Sequence, residues 1–261
     1  MSRGAHTDAA RAIGVDIGGS GIKGALVDLA AGDFAGERVR IETPRPSTPD
    51  AVAEVVADVV SAVGGDDDHG LAVGVTFPAV VQHGVARTAA NVDDTWIGTD
   101  VADVLSRATG HPVHVLNDAD AAGVAEARFG AAADTDGVVL VTTLGTGIGS
   151  ALLVDGHLVP NTELGHLEID GHDAETRAAD SAREREDLSW EQWAQRLQRF
   201  YSVLEDLLWP DLIVVGGGVS KKHEKFLPLL DLRTPIVPAE LRNRAGIIGA
   251  AVVAAELRAP A

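Results

Sequence analysis

Three glycine-rich turns, each following a stretch that reads as a buried strand, are the first places where this sequence writes chemistry into residue type and spacing. They are Gly18-Gly19-Ser20-Gly21, Gly145-Thr146-Gly147-Ile148-Gly149 and Gly216-Gly217-Gly218. A turn without side chains lets backbone N–H groups approach a phosphate closely. Any one of them also serves plain hairpin geometry, so the three carry the argument only together. A strand pattern rather than a helix follows the first two, which excludes a Rossmann dinucleotide site, and there is no GxxxxGKS/T P-loop. Asp16 stands directly before the first turn, where a carboxylate can hold Mg²⁺ beside phosphates; a turn-forming Asp is the plainer alternative. Lys23 lies just beyond the turn.

Two further groups suit an alcohol acceptor. Asn117-Asp118 ends a strand and opens a helix. Asn and Asp are favoured there as N-caps, and a carboxylate in that place can also take a proton from a hydroxyl. The two readings are compatible, with Asn117 shaping the turn and Asp118 acting as base. Between Asn161 and Glu168 an amide (Asn161), two carboxylates (Glu163, Glu168) and an imidazole (His166) fall within eight residues, a set able to hydrogen-bond several hydroxyls of a polyol. A metal site there needs further ligands, and His166 alone is equally a structural histidine.

The elements that must position these groups follow from periodicity. Ile13 to Ile17 and Ile22 to Leu29 read as a hairpin, with a third strand near Val39 to Glu42 before Pro44, Pro46 and Pro49. Val52, Val55, Val56, Val59 and Val63 follow helical spacing, and Leu71 to Thr76 and Pro112 to Leu116 read as buried strands. Val138 to Leu144 and Ala151 to Val154 repeat the hairpin pattern, and residues 17–27 align with 144–154 across one gap, which suggests two related halves. Helices are expected at about 118–129, 189–209, 219–230 and 246–258, and a strand at Leu212 to Val215. The acidic stretch at 64–68 reads as a surface loop.

Composition bounds the rest. The 261 residues hold 21 Lys or Arg against 39 Asp or Glu, a net charge of −18, and no cysteine, which removes disulfides, thiolate metal sites and cysteine nucleophiles. So acidic a chain disfavours nucleic acid and anionic lipid as partners. No apolar run approaches the roughly 20 residues that cross a bilayer, and no signal-peptide core opens the chain, so a cytoplasmic protein without membrane partners is expected. The charge is uneven. Residues 212–261 carry seven Lys or Arg against four acids, a balance of +3, which leaves −21 on residues 1–211. All four lysines, Lys23, Lys221, Lys222 and Lys225, fall at or beside the glycine turns. A basic strip on an acidic body can hold a polyanion, and a solvated face is the bland alternative.

Residues 16–24 (DIGGSGIKG), 116–120 (LNDAD), 143–150 (TLGTGIGS), 163–166 (ELGH) and 214–220 (VVGGGVS) together resemble the ROK family of sugar kinases, within the hexokinase–actin-like group. Residues 76–100, 161–175, 183–194 and 214–228 more closely resemble the branch of that family that takes inorganic polyphosphate as donor. The resemblance implies an α/β, two-lobed, ribonuclease H-like or actin-like fold with a cleft between lobes. We expect lobes at 1–116 and 117–245, with the helix 246–261 packing back on the first. It implies transfer of the terminal phosphate of inorganic polyphosphate to the 6-hydroxyl of glucose, with Mg²⁺, in a homodimer. Asp118 would be the general base, and Asn91, Asn117, Asp118, Glu163, His166 and Glu168 would bind the sugar. Asp16 would bind Mg²⁺. Gly18, Gly19, Ser20, Gly21, Lys23, Gly145, Thr146, Gly147, Gly216, Gly217 and Gly218, with Lys221 and Lys222, would hold the donor phosphates. Most family members carry a cysteine-rich zinc motif after the ELGH-like sequence; its absence here, shared by the polyphosphate branch, leaves one sugar-contacting glutamate open among Glu168, Glu175 and Glu184. An ATP-dependent glucokinase on the same fold is the nearest alternative, with ATP open as a second donor. A non-catalytic sugar sensor or repressor is the alternative from another class; it would be expected to lose the base and, as a repressor, to need a DNA-binding module where about a dozen residues precede the first strand.

Overall fold

The computed structural model describes residues 11–64 and 70–258 and divides into two compact units, residues 1–121 with 244–261, and residues 122–243. The acidic loop expected at 64–68 lies outside the described residues except for Gly64.

In the first unit β1 (Arg11–Gly18) and β2 (Gly21–Asp28) form an antiparallel hairpin closed by Gly19-Ser20. Two short strands, β3 (Asp33–Phe34) and β4 (Val39–Ile41), add to β2. After α1 (Pro49–Gly64), β5 (Ala72–Phe77) pairs parallel with β1. A two-strand ribbon, β6 (Val81–Gln82) with β7 (Val85–Ala86), precedes α2 (Val101–Thr109). Then β8 (Val113–Asn117) pairs parallel with β5, giving the order β3-β2-β1-β5-β8, and α3 (Asp118–Phe129) leads across the unit boundary. Every residue of β5 is buried, as a central parallel strand covered on both faces requires. Ile13, Val15, Ile17, Val73, Val75 and Phe77 pack with Val52, Val56 and Val59 of α1. Each such side chain, fully buried, contributes roughly 1.5–3 kcal/mol.

The second unit repeats the pattern. Strands β9 (Val138–Leu144) and β10 (Ile148–Val154) form the second hairpin, extended by β11 (His157–Val159). A small ribbon, β12 (Glu168–Ile169) with β13 (His172–Asp173), leads into the short helices α4 (Glu175–Ala178) and α5 (Asp180–Arg185). The long α6 (Trp190–Leu208) starts at a capping box of Ser189 and Gln192 and buries Trp193, Leu197, Phe200, Tyr201 and Leu204 along one stripe. Then β14 (Leu212–Gly216) pairs parallel with β9, and β15 (Ile236–Pro238) with β14, for the order β11-β10-β9-β14-β15. Both units therefore carry a glycine-turn hairpin with two parallel strands added beside it, the duplication that the aligned turns suggest.

One expected helix differs. Residues 219–230 form two 3-10 segments, Gly218–Lys225 and Leu227–Leu229, rather than an α-helix. Lys222 breaks the helical path at φ −111°, ψ 20°, and Pro228 cannot donate to a continuing ladder.

The last described element is α7 (Ala245–Arg258), which packs on the first sheet at backbone distance. A Cβ at Gly14 would collide with the Ile247 carbonyl, one at Gly74 with the Ala250 carbonyl, and one at Gly249 of the helix with the Ala121 carbonyl. These three glycines are demanded by close approach, not by turn geometry. Gly74→Ala should therefore lower stability by about 1–3 kcal/mol or more through overpacking. Gly36→Ala, where a Cβ meets nothing within 4 Å, serves as the control. Thermal denaturation checks this; equal melting temperatures for Gly74→Ala and wild type would show that the helix does not lie so close.

Candidate active site

In the first unit the sheet register sets Lys23, Asp16 and Thr76 in one row across β2, β1 and β5. Lys23 Nζ lies 3.0 Å from Asp16 Oδ2, and Thr76 Oγ1 donates to Asp16 Oδ1 at 2.9 Å. Both charged side chains are about a quarter exposed, so the pair is held in place yet reachable. A single carboxylate beside a glycine turn is the kind of group that can hold Mg²⁺, which keeps several waters and takes one or two carboxylates plus substrate phosphates. The turn is braced from outside: Arg40 donates to the Ser20 carbonyl at 2.8 Å and Thr43 Oγ1 to the Gly18 carbonyl.

Asn91 sits against that turn, its Cβ 3.1 Å from where a Cβ on Gly19 would lie, in the left-handed region at φ 63°. The two line a pocket of about 350 Å³ with the Thr43–Ser47 segment. At the carboxyl end of β8, Asn117 is the N-cap of α3: its Oδ1 accepts from Ala119 N–H (2.8 Å) and Asp120 N–H (3.3 Å), and its Nδ2 donates to the Ala79 carbonyl (3.1 Å). Asp118 is exposed, with Oδ1 accepting from Ala119 N–H at 2.9 Å. The capping role therefore falls on Asn117 and fixes the backbone from which Asp118 projects.

In the second unit the Gly145–Gly147 turn is clasped by the two short helices. Ser181 donates through its N–H to the Gly145 carbonyl (3.1 Å) and through Oγ to the Thr146 carbonyl (2.6 Å), and Glu175 Oε2 accepts from Ile148 N–H (3.0 Å). A Cβ on Gly147 would collide with that carboxylate, and one on Gly217 (φ 81°) with Leu144, so the two glycine turns lie against each other. Beyond Gly218, exposed Lys222 and Lys225 stand 5.8 and 5.4 Å from the Trp190 ring, which Arg183 covers at 4.4 Å. Lys221 is exposed on the same segment.

Glu163 and His166 flank a 3-10 turn, Leu164–His166, with Glu163 Oε2 4.0 Å from His166 Nε2. Burial raises the Glu163 pKa, His166 pulls it back and Glu175 raises it further. His166 is held above its ordinary value chiefly by its hydrogen bond to Asp173 (Nδ1 to Oδ2, 2.9 Å), against a smaller effect of burial. Asp173 and Glu175 complete this group; Asp173 did not stand among the expected site residues, and Glu175 stood there only as one of three acids left open. Among the described residues, His166, Asp173 and Glu175 are the one set of three metal-type ligands whose atoms lie together, within 4.8 Å. Of the three acids left open, Glu175 lies here, Glu184 pairs with Arg183 at 3.2 Å, and Glu168 stands exposed on β12.

With this geometry in view, residues 12–181 match the ROK family, and the chain belongs to it. It is 51% identical over 240 residues to a polyphosphate glucokinase of Mycobacterium tuberculosis (strain CDC 1551 / Oshkosh), covering 92% of this chain and 89% of that one. The inorganic polyphosphate/ATP-glucomannokinase from Arthrobacter sp. strain KM superposes with a TM-score of 0.90 at 57% identity, over 95% of this chain and all of that one. The ROK hexokinase from Thermus thermophilus gives 0.75 at 25%, over 94% and 97%. The fold is the actin-like one of ROK sugar kinases. No helix among the described residues is long and apolar enough to cross a membrane.

The histidine–aspartate pair has a pH signature. A raised folded-state pKa contributes stability that is complete below the unfolded value of about 6.5 and fades as pH rises through the folded value. His166→Gln should therefore lower the melting temperature most near pH 5.5 and progressively less above pH 7. A deficit that is constant or grows with pH would contradict the pair.

Proposed function

We infer that this protein is a polyphosphate-dependent glucokinase, forming glucose 6-phosphate from glucose and the terminal phosphate of inorganic polyphosphate. The likeness across nine-tenths of the chain to a protein named polyphosphate glucokinase supports the donor and the acceptor together. The observation that carries the chemistry is the arrangement at the carboxyl edge of one sheet: Lys23, Asp16 and Thr76 in a row, and Asp118 just past the neighbouring strand.

In this reading Asp118 takes the proton from the 6-hydroxyl as the oxygen attacks phosphorus in line. Asn91, Glu163, His166 and Glu175 hold the other hydroxyls, with Asn117 fixing Asp118 through its cap. Lys23, the N–H groups of the Gly18–Gly21 and Gly145–Gly147 turns, and the Gly216–Gly218 turn receive the donor phosphates. Phosphoryl transfer needs little covalent help, so positioning and charge compensation supply most of the acceleration. Asp16 would hold Mg²⁺, which when bound would supply further charge compensation. Lys221, Lys222 and Lys225, gathered beyond the Gly216–Gly218 turn, extend that compensation along a polyanion. The name of the Arthrobacter relative favours ATP as a second donor.

Asp118→Asn tests the assignment of the base. It removes the proton acceptor while keeping size and shape, and general-base loss costs about 100–10,000-fold. Turnover should fall by that order while glucose binding, followed by calorimetry, stays measurable; near-normal turnover would sink the role of Asp118.

A further inference from the structure

Asp173 uses its two carboxylate oxygens on two different partners. Oδ2 meets His166 Nδ1 at 2.9 Å, and Oδ1 accepts from the Glu175 N–H at 3.2 Å. An ionised carboxylate only accepts, so the hydrogen on His166 sits on Nδ1 whether the ring is neutral or charged. Nε2, the opposite edge of the ring, is then the nitrogen turned toward Glu163, and it is an acceptor while the ring is neutral.

The contact is held by a scaffold of its own neighbours. Asp173 faces Glu168 across the β12–β13 ribbon, whose turn is Asp170-Gly171 with φ 53° and 77°, the two positive values that a type I′ turn demands. Arg199 on α6 grips Asp170 through two hydrogen bonds, 2.9 and 2.8 Å. The carboxylate of Glu175, the residue whose N–H Asp173 caps, is fixed in turn on Ile148 N–H at the end of the glycine turn. One short ribbon thus ties the imidazole to the helix behind it and to the turn beside it.

We propose that Asp173 is a positioning residue for glucose recognition: it sets the tautomer and ring orientation of His166 so that Nε2 faces the sugar. The proposal rests on reading His166 as a sugar ligand, and it assigns a role that neither the sequence motifs nor the relatives' names give to Asp173. Asp173→Asn is the sharp variant, because an amide has one accepting oxygen for two donors. Either the Glu175 N–H loses its partner, or the amide NH₂ faces His166 Nδ1 and drives the ring proton to Nε2.

The experiment measures His166 nitrogen shifts by long-range ¹H–¹⁵N NMR on the ligand-free protein, together with glucose KM and kcat for wild type, D173N, H166Q and the double variant. The wild-type neutral ring should carry its proton on Nδ1. Where D173N moves it to Nε2, glucose KM should rise about 10-fold, the size of one lost hydrogen bond, with kcat changing less; a KM rise with the proton still on Nδ1 overturns the proposal. In the H166Q background D173N should add nothing further. An Nε2–H tautomer in the wild type overturns the proposal without any variant. So does an equal KM penalty in the H166Q background, which would place the effect in the Glu175 loop. Nitrogen shifts that change on chelation and return with zinc would put a metal, not Asp173, in control of the ring. A wild type that binds no glucose in calorimetry would instead overturn the glucokinase reading, leaving the tautomer to be decided by the same spectra.

Discussion

The first unit depends on how closely one helix lies on one sheet. At Gly14 and Gly74 the backbones of β1 and β5 approach that of α7 with no room for a side chain, and Gly249 brings the same helix against the start of α3. Interiors pack densely and give little under strain, so backbone-to-backbone contact at three points leaves the sheet almost no freedom to slide. The consequence reaches the chemistry directly. Asp16 and Thr76 sit two residues beyond those glycines on their strands, and Gly246, opening the helix, stands 3.7 Å from Asp16 Oδ1 at its Cβ position. The contact that holds the unit together also aims the row of Lys23, Asp16 and Thr76.

Much of this was legible in the sequence because it is local. Each glycine hairpin shows a strand, a turn and a returning strand, and α3 spans 118–129 as its spacing indicates. What was not legible is what only tertiary pairing creates. Gly14 and Gly74 lie inside stretches that read as buried strands with nothing local to mark them, since the helix that requires them comes some 170 or more residues later. Asp173 was missed because its partner is seven residues back across a ribbon; the Asp170-Gly171 pair, a hairpin-turn signal, was the clue that could have exposed it. Helices α4 and α5 are short and charged, with too little periodicity to announce themselves, yet they clasp the Gly145–Gly147 turn. For residues 219–230 the apolar spacing could not separate a 3-10 path from an α one.

Net charge also means something different once the groups are placed. A total of −18 argues against broad attraction to polyanions. Yet Lys222, Lys225 and Arg183 gather around the single ring of Trp190, in the unit that carries two glycine turns. A cation near an aromatic face keeps its charge while its stem is packed. A local strip of this kind can guide a linear polyanion while the acidic remainder of the surface repels it.

The central claim, that polyphosphate feeds phosphate to glucose here, is tested most directly by one comparison. Glucose 6-phosphate is measured with purified protein and glucose, supplied with either inorganic polyphosphate or ATP at equal phosphate concentration. Sustained product formation from polyphosphate in the absence of any nucleotide is expected. Product in the ATP arm but none in the polyphosphate arm, or none in either, would contradict it.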